Sequence, residues 1–144
     1  MAKLDANIWG PHYWFFLFTT GVNYPETPNE VTRKKYYDFI QNFPLFIPDP
    51  EMSSQFIKLL DKYPITPYLD SRTSYIKWIH FIHNRINASI GKDEISLEDA
   101  MERYYVHYTP RHIRILDELK YRDKLLYLCI VVGLAYGAYH MYKH

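Results

Sequence analysis

Apolar side chains recur every three or four residues along most of this chain, which is the spacing of one face of an α-helix. Strict alternation of apolar and polar residues, which is typical of half-buried strands, is scarce. A first helix is predicted from Pro11 to about Val22, with proline at its start, where a missing N–H is tolerated. The sequence TPNE is a capping-box pattern and predicts a second helix to about Phe43, with Thr27 as its N-cap.

The stretch IPDPEMSS predicts the start of a third helix. Asp49 can accept hydrogen bonds from backbone N–H groups, and Pro50 needs no N–H of its own at the first helical position. From Met52 to Tyr63 apolar residues then mark one helical face. Pro64 ends this predicted helix.

A fourth helix is predicted from about Ser71 to Ile90, and Gly91 follows it. Its predicted core face consists of Tyr75, Ile79, Ile82, Ile86 and Ile90. A second stripe with the same spacing carries Ile76, His80, His83 and Asn87, with Asn84 adjacent. Three interpretations of this polar stripe stay open: a metal site, a solvated face, or a ligand pocket between helices. No carboxylate lies on the stripe, so we expect no bound metal.

Two more helices complete the pattern. The sequence SLED, which begins at Ser96, is a second capping box. The last helix follows Thr109 and meets no helix breaker before Gly133. We therefore expect an all-α protein in which residues 1–109 form a small bundle of four or five helices, and residues 110–144 form one long C-terminal helix.

The C-terminal segment Leu125–Tyr142 contains no Asp, Glu, Lys or Arg. Eighteen helical residues rise roughly 27 Å, which is close to the hydrocarbon thickness of a bilayer. Tyr121 and Tyr139 lie near its two ends, as interfacial aromatic side chains do. A buried core helix is the alternative interpretation, but we expect a membrane anchor.

Basic residues predict which way this anchor is oriented. Five of them lie between the bundle and the apolar segment, namely Arg111, Arg114, Lys120, Arg122 and Lys124. They outnumber the two basic groups that follow the segment, so we expect the bundle on the cytosolic face.

Charge and cysteine content argue against two kinds of function, nucleic-acid binding and chemistry on an internal cysteine pair. The formal net charge is +1, so no strong basic field indicates a nucleic-acid partner. Cys129 is the only cysteine in the chain, and it can form neither an internal disulfide nor a Cys-x-x-Cys pair.

Three motifs carry a resemblance to a known family: WGPHYW near the start, the pair YP at Tyr24, and WIHFIHNRINASIGK from Trp78 to Lys92. In order and spacing they resemble the Erv/ALR family of flavin-dependent sulfhydryl oxidases, and the WGPHYW form is similar to members encoded by large DNA viruses. The resemblance implies a helical bundle that holds FAD near a redox-active Cys-x-x-Cys motif, and members of the family often form homodimers.

The resemblance also implies a set of FAD contacts. The matching residues are Trp14, Tyr24, His83, Asn84, Asn87 and Lys92. Lys92 is expected at a phosphate, and His83 with the two asparagines at the adenine end. The chain departs from the family at Phe18, where members have histidine, and at His80, where they often have cysteine. Because both changes alter the pocket, we expect no stably bound FAD; retained FAD is the alternative.

The largest departure concerns the redox motif. Asp49 and Met52 stand where the family has its two cysteines. A carboxylate and a thioether cannot form a mixed disulfide, so the motif is predicted to be vestigial. On this basis we expect that the chain is not an enzyme, unless a partner chain supplies the disulfide.

The resulting hypothesis is a redox-inactive, membrane-anchored structural protein of a virion, bound to the inner membrane through Leu125–Tyr142 and to other capsid proteins. The alternative is an FAD-binding protein that works in flavin electron transfer or as the partner of an active thiol oxidase.

Overall fold

The computed structural model of the protein describes residues 4–143, so the outermost ends of the two predicted domains, residues 1–3 and 144, lie outside it. Six α-helices follow one another: α1 (Ala6–Val22), α2 (Glu30–Asn42), α3 (Pro50–Lys62), α4 (Arg72–Ser89), α5 (Leu97–Tyr105) and α6 (Arg111–Lys143). Short 3-10 turns span Phe43–Phe46, Thr66–Tyr68 and Val106–Tyr108. Because residues 4–143 contain no strand, the prediction of an all-α protein is confirmed.

The chain divides into two compact units between Tyr104 and Tyr105. The first unit holds α1 to α4 and most of α5, and the second holds α6 with the turn before it. The domain boundary predicted after residue 109 stays a prediction.

Capping residues start three helices where the sequence predicts them. Asp49 Oδ1 accepts from the backbone N–H groups of Glu51 at 2.9 Å and Met52 at 3.1 Å. The hydroxyls of Ser71 and Ser96 cap α4 and α5 in the same manner. These starts depend on local side-chain chemistry, which the sequence displays directly.

Two predicted helix starts are wrong. α1 begins five residues earlier than predicted, because Asp5 accepts from the backbone N–H of Asn7 at 2.8 Å and caps it there, so Pro11 lies inside the helix. α2 is capped by Asn29, whose side chain accepts from Thr32 N at 2.8 Å. The asparagine amide satisfies an N–H at the helix end, and the predicted cap, Thr27, therefore lies outside the helix.

The core of the first unit lies where α1 packs along α4. Tyr75, Ile79 and Ile82 of α4 are buried as predicted, whereas Ile90 is 43 % exposed because it follows the last turn. A methyl group added at Gly21 would approach Ile76 Cγ1 and Ile79 Cδ1 to 3.0 Å. The missing side chain at this position therefore lets the two helices approach closely.

The second unit is dominated by α6, which has 33 residues. The segment Leu119–Tyr142 has a mean hydropathy of 1.5 and is long and apolar enough to cross a membrane by length and composition. None of this window is buried in the structure, which contrasts with the core helix of a soluble protein. Cys129 lies on this segment and is exposed.

Candidate functional site

A small cavity lies between α1, α3 and the end of α4. Its walls are formed by Trp9, Gly10, Tyr13, Trp14, Leu17, Phe43, Ile47, Met52, Phe56 and Ile86. Its volume is about 30 Å³, which is the space of two or three water molecules at about 10–15 Å³ each. Met52 therefore brings the predicted redox position to the wall of an apolar cavity that Trp14 also lines.

Trp14 and His83 form a ring pair beside this cavity. Their ring centroids are 4.3 Å apart, with 31° between the planes. The Nδ1 atom of His83 is buried and has no hydrogen-bond partner among the described residues. A buried polar atom without a partner is uncommon and is satisfied when a ligand supplies one. The structure thus brings together two of the six residues predicted to contact FAD.

The surroundings of His83 favour its neutral form. Burial is the main cause that lowers the pKa of His83, to about 4. Coulombic interactions with His80, Arg103 and Lys92 lower this pKa further. The ring of Phe18 packs edge-on against His83, with 6.1 Å between the ring centroids. A phenyl ring offers the imidazole no hydrogen bond. His83 is therefore uncharged at neutral pH, and its environment is electropositive.

The pKa of His83 predicts how the stability of the flavin-free protein depends on pH. Because this pKa lies below the ordinary value of 6.5, the unfolded chain binds the proton more tightly than the folded protein does. The stability that neutral His83 contributes is complete above pH 6.5 and falls by about 1.4 kcal/mol per pH unit as the pH drops towards 4. Urea unfolding, followed by tryptophan fluorescence between pH 7 and 4, measures this slope.

The change His83→Gln should flatten that slope, whereas His12→Gln, at an exposed position of α1, should keep it. An unchanged slope in His83→Gln would contradict the assignment of the low pKa to His83.

The side chain of Asn84 binds the backbone of the segment that follows α4. Its Nδ2 donates to the backbone oxygen of Ile95 at 2.9 Å, and its Oδ1 accepts from Ile95 N at 3.1 Å. His80 Nε2 lies 2.8 Å from the same oxygen. The carboxamide of Asn84 is thus engaged with the loop between α4 and α5.

The other predicted contacts lie in two places. Asn87 is 9 % exposed, one turn beyond His83 on α4, and its backbone oxygen accepts from Lys92 N at 2.9 Å. Tyr24 is fully buried in another cluster: its hydroxyl donates to Leu69 O at 2.8 Å, and its ring lies 5.1 Å from that of Tyr75. The role of each residue at a cofactor stays a prediction.

Sequence reasoning missed several residues of this region. Trp9 and Tyr13, whose rings are 5.1 Å apart, line the cavity, and the motif WGPHYW that contains them was the available signal. Ile95 acts through its backbone, for which a sequence holds no signal. Within the described residues no group of three His, Cys, Asp or Glu side chains could hold a metal ion.

The first unit is thus an all-helical bundle in which an apolar cavity lies beside a stripe of histidine and asparagine residues on α4. The sequence model of the Erv1/Alr family matches residues 11–105, and the chain therefore belongs to that family. This confirms the resemblance inferred from the motifs.

Individual relatives agree with this assignment. The chain is 31 % identical over 104 residues to a probable FAD-linked sulfhydryl oxidase of Acanthamoeba polyphaga mimivirus, which covers 72 % of this chain and 73 % of that protein. It is 32 % identical over 91 residues to an FAD-linked sulfhydryl oxidase of Saccharomyces cerevisiae, covering 63 % of this chain and 45 % of the yeast protein. The crystal structure of the yeast Erv1 core has the same fold, with a TM-score of 0.65 and 20 % identity over 72 % of this chain and 86 % of that one.

Two predictions are corrected by these comparisons. The prediction that the chain is not an enzyme is wrong, because the relatives are named as oxidases and the family is an enzyme family. The expectation that FAD is absent lacks support, because the same relatives are named FAD-linked. Each expectation rested on two substitutions, which weighed too heavily against a family match over residues 11–105.

Proposed function

We propose that the bundle binds FAD and serves thiol oxidation as a membrane-anchored subunit, with the reactive cysteine pair supplied by a second chain. The observation that carries this proposal is the buried, unpartnered Nδ1 of His83 beside the ring of Trp14. The FAD-linked relatives support it.

The residues of the site fit a flavin nucleotide chemically. FAD, when bound, supplies an acceptor for two electrons from thiols and a donor to oxygen. Trp14 offers an aromatic face, neutral His83 offers a hydrogen bond, and Lys92 offers a positive charge to phosphate. Because the cavity of about 30 Å³ is smaller than a three-ring system, side chains that line it must rotate aside on binding.

The cysteine pair is the part that this chain lacks. Cys129 is its only cysteine, and it lies on the apolar part of α6. At the start of α3, Asp49 and Met52 occupy the predicted redox positions, and neither can exchange with a disulfide. A partner whose own cysteine pair reaches the cavity wall at Met52 would complete the chemistry.

We also propose that the bundle lies on the cytosolic side of a membrane. Leu125–Tyr142 is apolar throughout, and Lys120, Arg122 and Lys124 precede it with exposed side chains. Basic residues are retained on the cytosolic side of a membrane, which supports a cytosolic bundle. The mimivirus relative supports a viral setting, and within it we propose a virion membrane as the location and virion proteins as the partners.

Flavin binding tests the first part of the proposal. The full-length protein in detergent should bind one FAD per chain, measured by flavin absorbance after gel filtration. The change His83→Ala should weaken binding at least about tenfold, because it removes both the ring contact and the hydrogen bond. The exposed His12→Ala variant should bind as the unmodified protein does. Equal affinity of both variants would contradict the site.

Electron transfer from a second chain tests the second part. Under anaerobic conditions, a reduced peptide with a Cys-x-x-Cys pair should bleach the bound flavin at least about tenfold faster than its Ser-x-x-Ser counterpart with added free cysteine. Equal rates would count against the subunit role and would favour the structural virion role that the sequence suggests.

A further inference from the structure

The loop of residues 90–96, which joins α4 to α5, is held by Asn84. Both polar ends of this carboxamide bind one residue: Oδ1 accepts from Ile95 N at 3.1 Å, and Nδ2 donates to Ile95 O at 2.9 Å. Asn84 is 7 % exposed, so water does not compete freely for these bonds. The pair of bonds therefore fixes the position of the Ile95 backbone relative to α4.

Further contacts hold both ends of this loop. His80 Nε2 lies 2.8 Å from Ile95 O, which adds a second side chain from α4 to the clamp. At the other end of the loop, Gly91 has a φ of +73°, and Lys92 N donates to Asn87 O at 2.9 Å. Lys92 thus lies on a short segment that is anchored on both sides.

The side chain of Lys92 points from this loop towards the start of α1. Its Nζ lies 3.4 Å from Asn7 Oδ1, a long contact that leaves its other donors available. Trp9, which lines the cavity, is two residues beyond Asn7 on the same helix. The ammonium group therefore lies beside the first turn of α1, with no salt bridge among the described residues.

We propose that Asn84 is a positioning residue for the phosphates of the nucleotide: it holds the loop in place, so that Lys92 meets them, and does not itself touch the cofactor. This inference rests on the proposed binding of FAD. It assigns Asn84 a role different from the direct contact that the family resemblance implies, since its carboxamide is already engaged with Ile95.

A comparison of FAD with riboflavin, which has the same ring system and no phosphate, tests the inference. In the full-length protein, Asn84→Ala should weaken FAD binding about tenfold and change riboflavin binding less than about twofold. A merely structural role would weaken both ligands alike. Equal loss for the two flavins, or no loss of FAD affinity, would overturn the inference.

Two further variants sharpen the comparison. Glu94 lies on the same loop and forms an ion pair with Arg85 of α4. The change Glu94→Gln breaks this pair and should leave the affinities for FAD and riboflavin within about twofold of the unmodified protein. Lys92→Gln should reproduce the loss specific to FAD. Combined with Asn84→Ala, it should add little, because the two residues act on the same phosphates. Fully additive losses would count against the proposal.

Amide hydrogen exchange tests the inference in the unmodified protein. FAD should slow exchange of the amides in residues 91–96 more than riboflavin does, because the phosphates bind at Lys92. Equal protection by the two flavins would overturn the role of Asn84 even if both bind. If neither flavin binds, the proposed function itself fails, and the positioning role fails with it.

Discussion

Cysteine at both Asp49 and Met52 should raise dithiol oxidation by the FAD-loaded protein at least about 100-fold above either single variant. A second cysteine makes closure of the disulfide an intramolecular step, which is favoured by at least this factor, and each single variant has only one of the two required sulfurs. Oxygen consumption with dithiothreitol measures the change. This is the largest gain that the structure predicts.

The physical reason lies at the start of α3. The side chain of Asp49 accepts two backbone N–H groups, so a thiolate placed there would meet the same donors and the positive end of the helix dipole. Asp49 is the N-cap of α3 and Met52 lies in its first turn, so cysteines there would have the Cys-x-x-Cys spacing of redox-active pairs at a helix start. Met52 lines the cavity, so the second sulfur would face the proposed flavin position.

A matched control separates this site from any other helix start. Asn29 caps α2 as Asp49 caps α3, and Thr32 lies three residues further on. Cysteines at Asn29 and Thr32 have the same spacing and the same helix end, but neither residue lines the cavity. Equal activity of the two double variants would contradict the cavity as the flavin site. Circular dichroism checks that both are folded, since losing a cap costs about 1 kcal/mol.

The helical fold could be predicted from the sequence because helix starts depend on local signals. Asp49, Ser71 and Ser96 begin helices through bonds to N–H groups two or three residues away, and these spacings are visible in the sequence. The start of α1 was missed because Pro11 looks like a first helical residue, while the actual cap, Asp5, has no capping-box partner. Pro11 is the sixth residue of α1, so this proline lies within the helix and does not mark its first residue.

The candidate site could be predicted only in part, because its contacts join residues that are far apart in the sequence. Trp14 and His83 were named from motifs, but their contact joins α1 and α4 across the core. The engagement of Asn84 was not readable, since its partner is the backbone of Ile95, eleven residues away. The hydrogen bond of Tyr24 could not be predicted either, because its hydroxyl donates to the backbone oxygen of Leu69. A side-chain pattern identifies the polar group and leaves open which backbone satisfies it.

Arginine at both Ile130 and Val132 should release the protein from membranes, which is the second large effect. Both residues lie at the middle of the segment Leu119–Tyr142 and are exposed in the structure. Each arginine at the centre of a membrane helix costs about 2.5–3.5 kcal/mol of insertion free energy. Two of them shift the equilibrium by more than about a thousandfold, because 1.4 kcal/mol corresponds to a factor of ten. Extraction with alkaline carbonate, followed by sedimentation, measures the fraction retained.

The control has the same added charge at the ends of the segment. Arginine at Tyr121 and Tyr142 should leave the protein in the pellet, because long basic side chains near a membrane surface reach the headgroups. Release of the unmodified protein would contradict the anchor and indicate a helix that packs against protein. Both double variants carry two extra positive charges, so charge alone cannot separate them. A difference between them therefore reports the depth of each position in the bilayer, which is the property that defines a spanning helix.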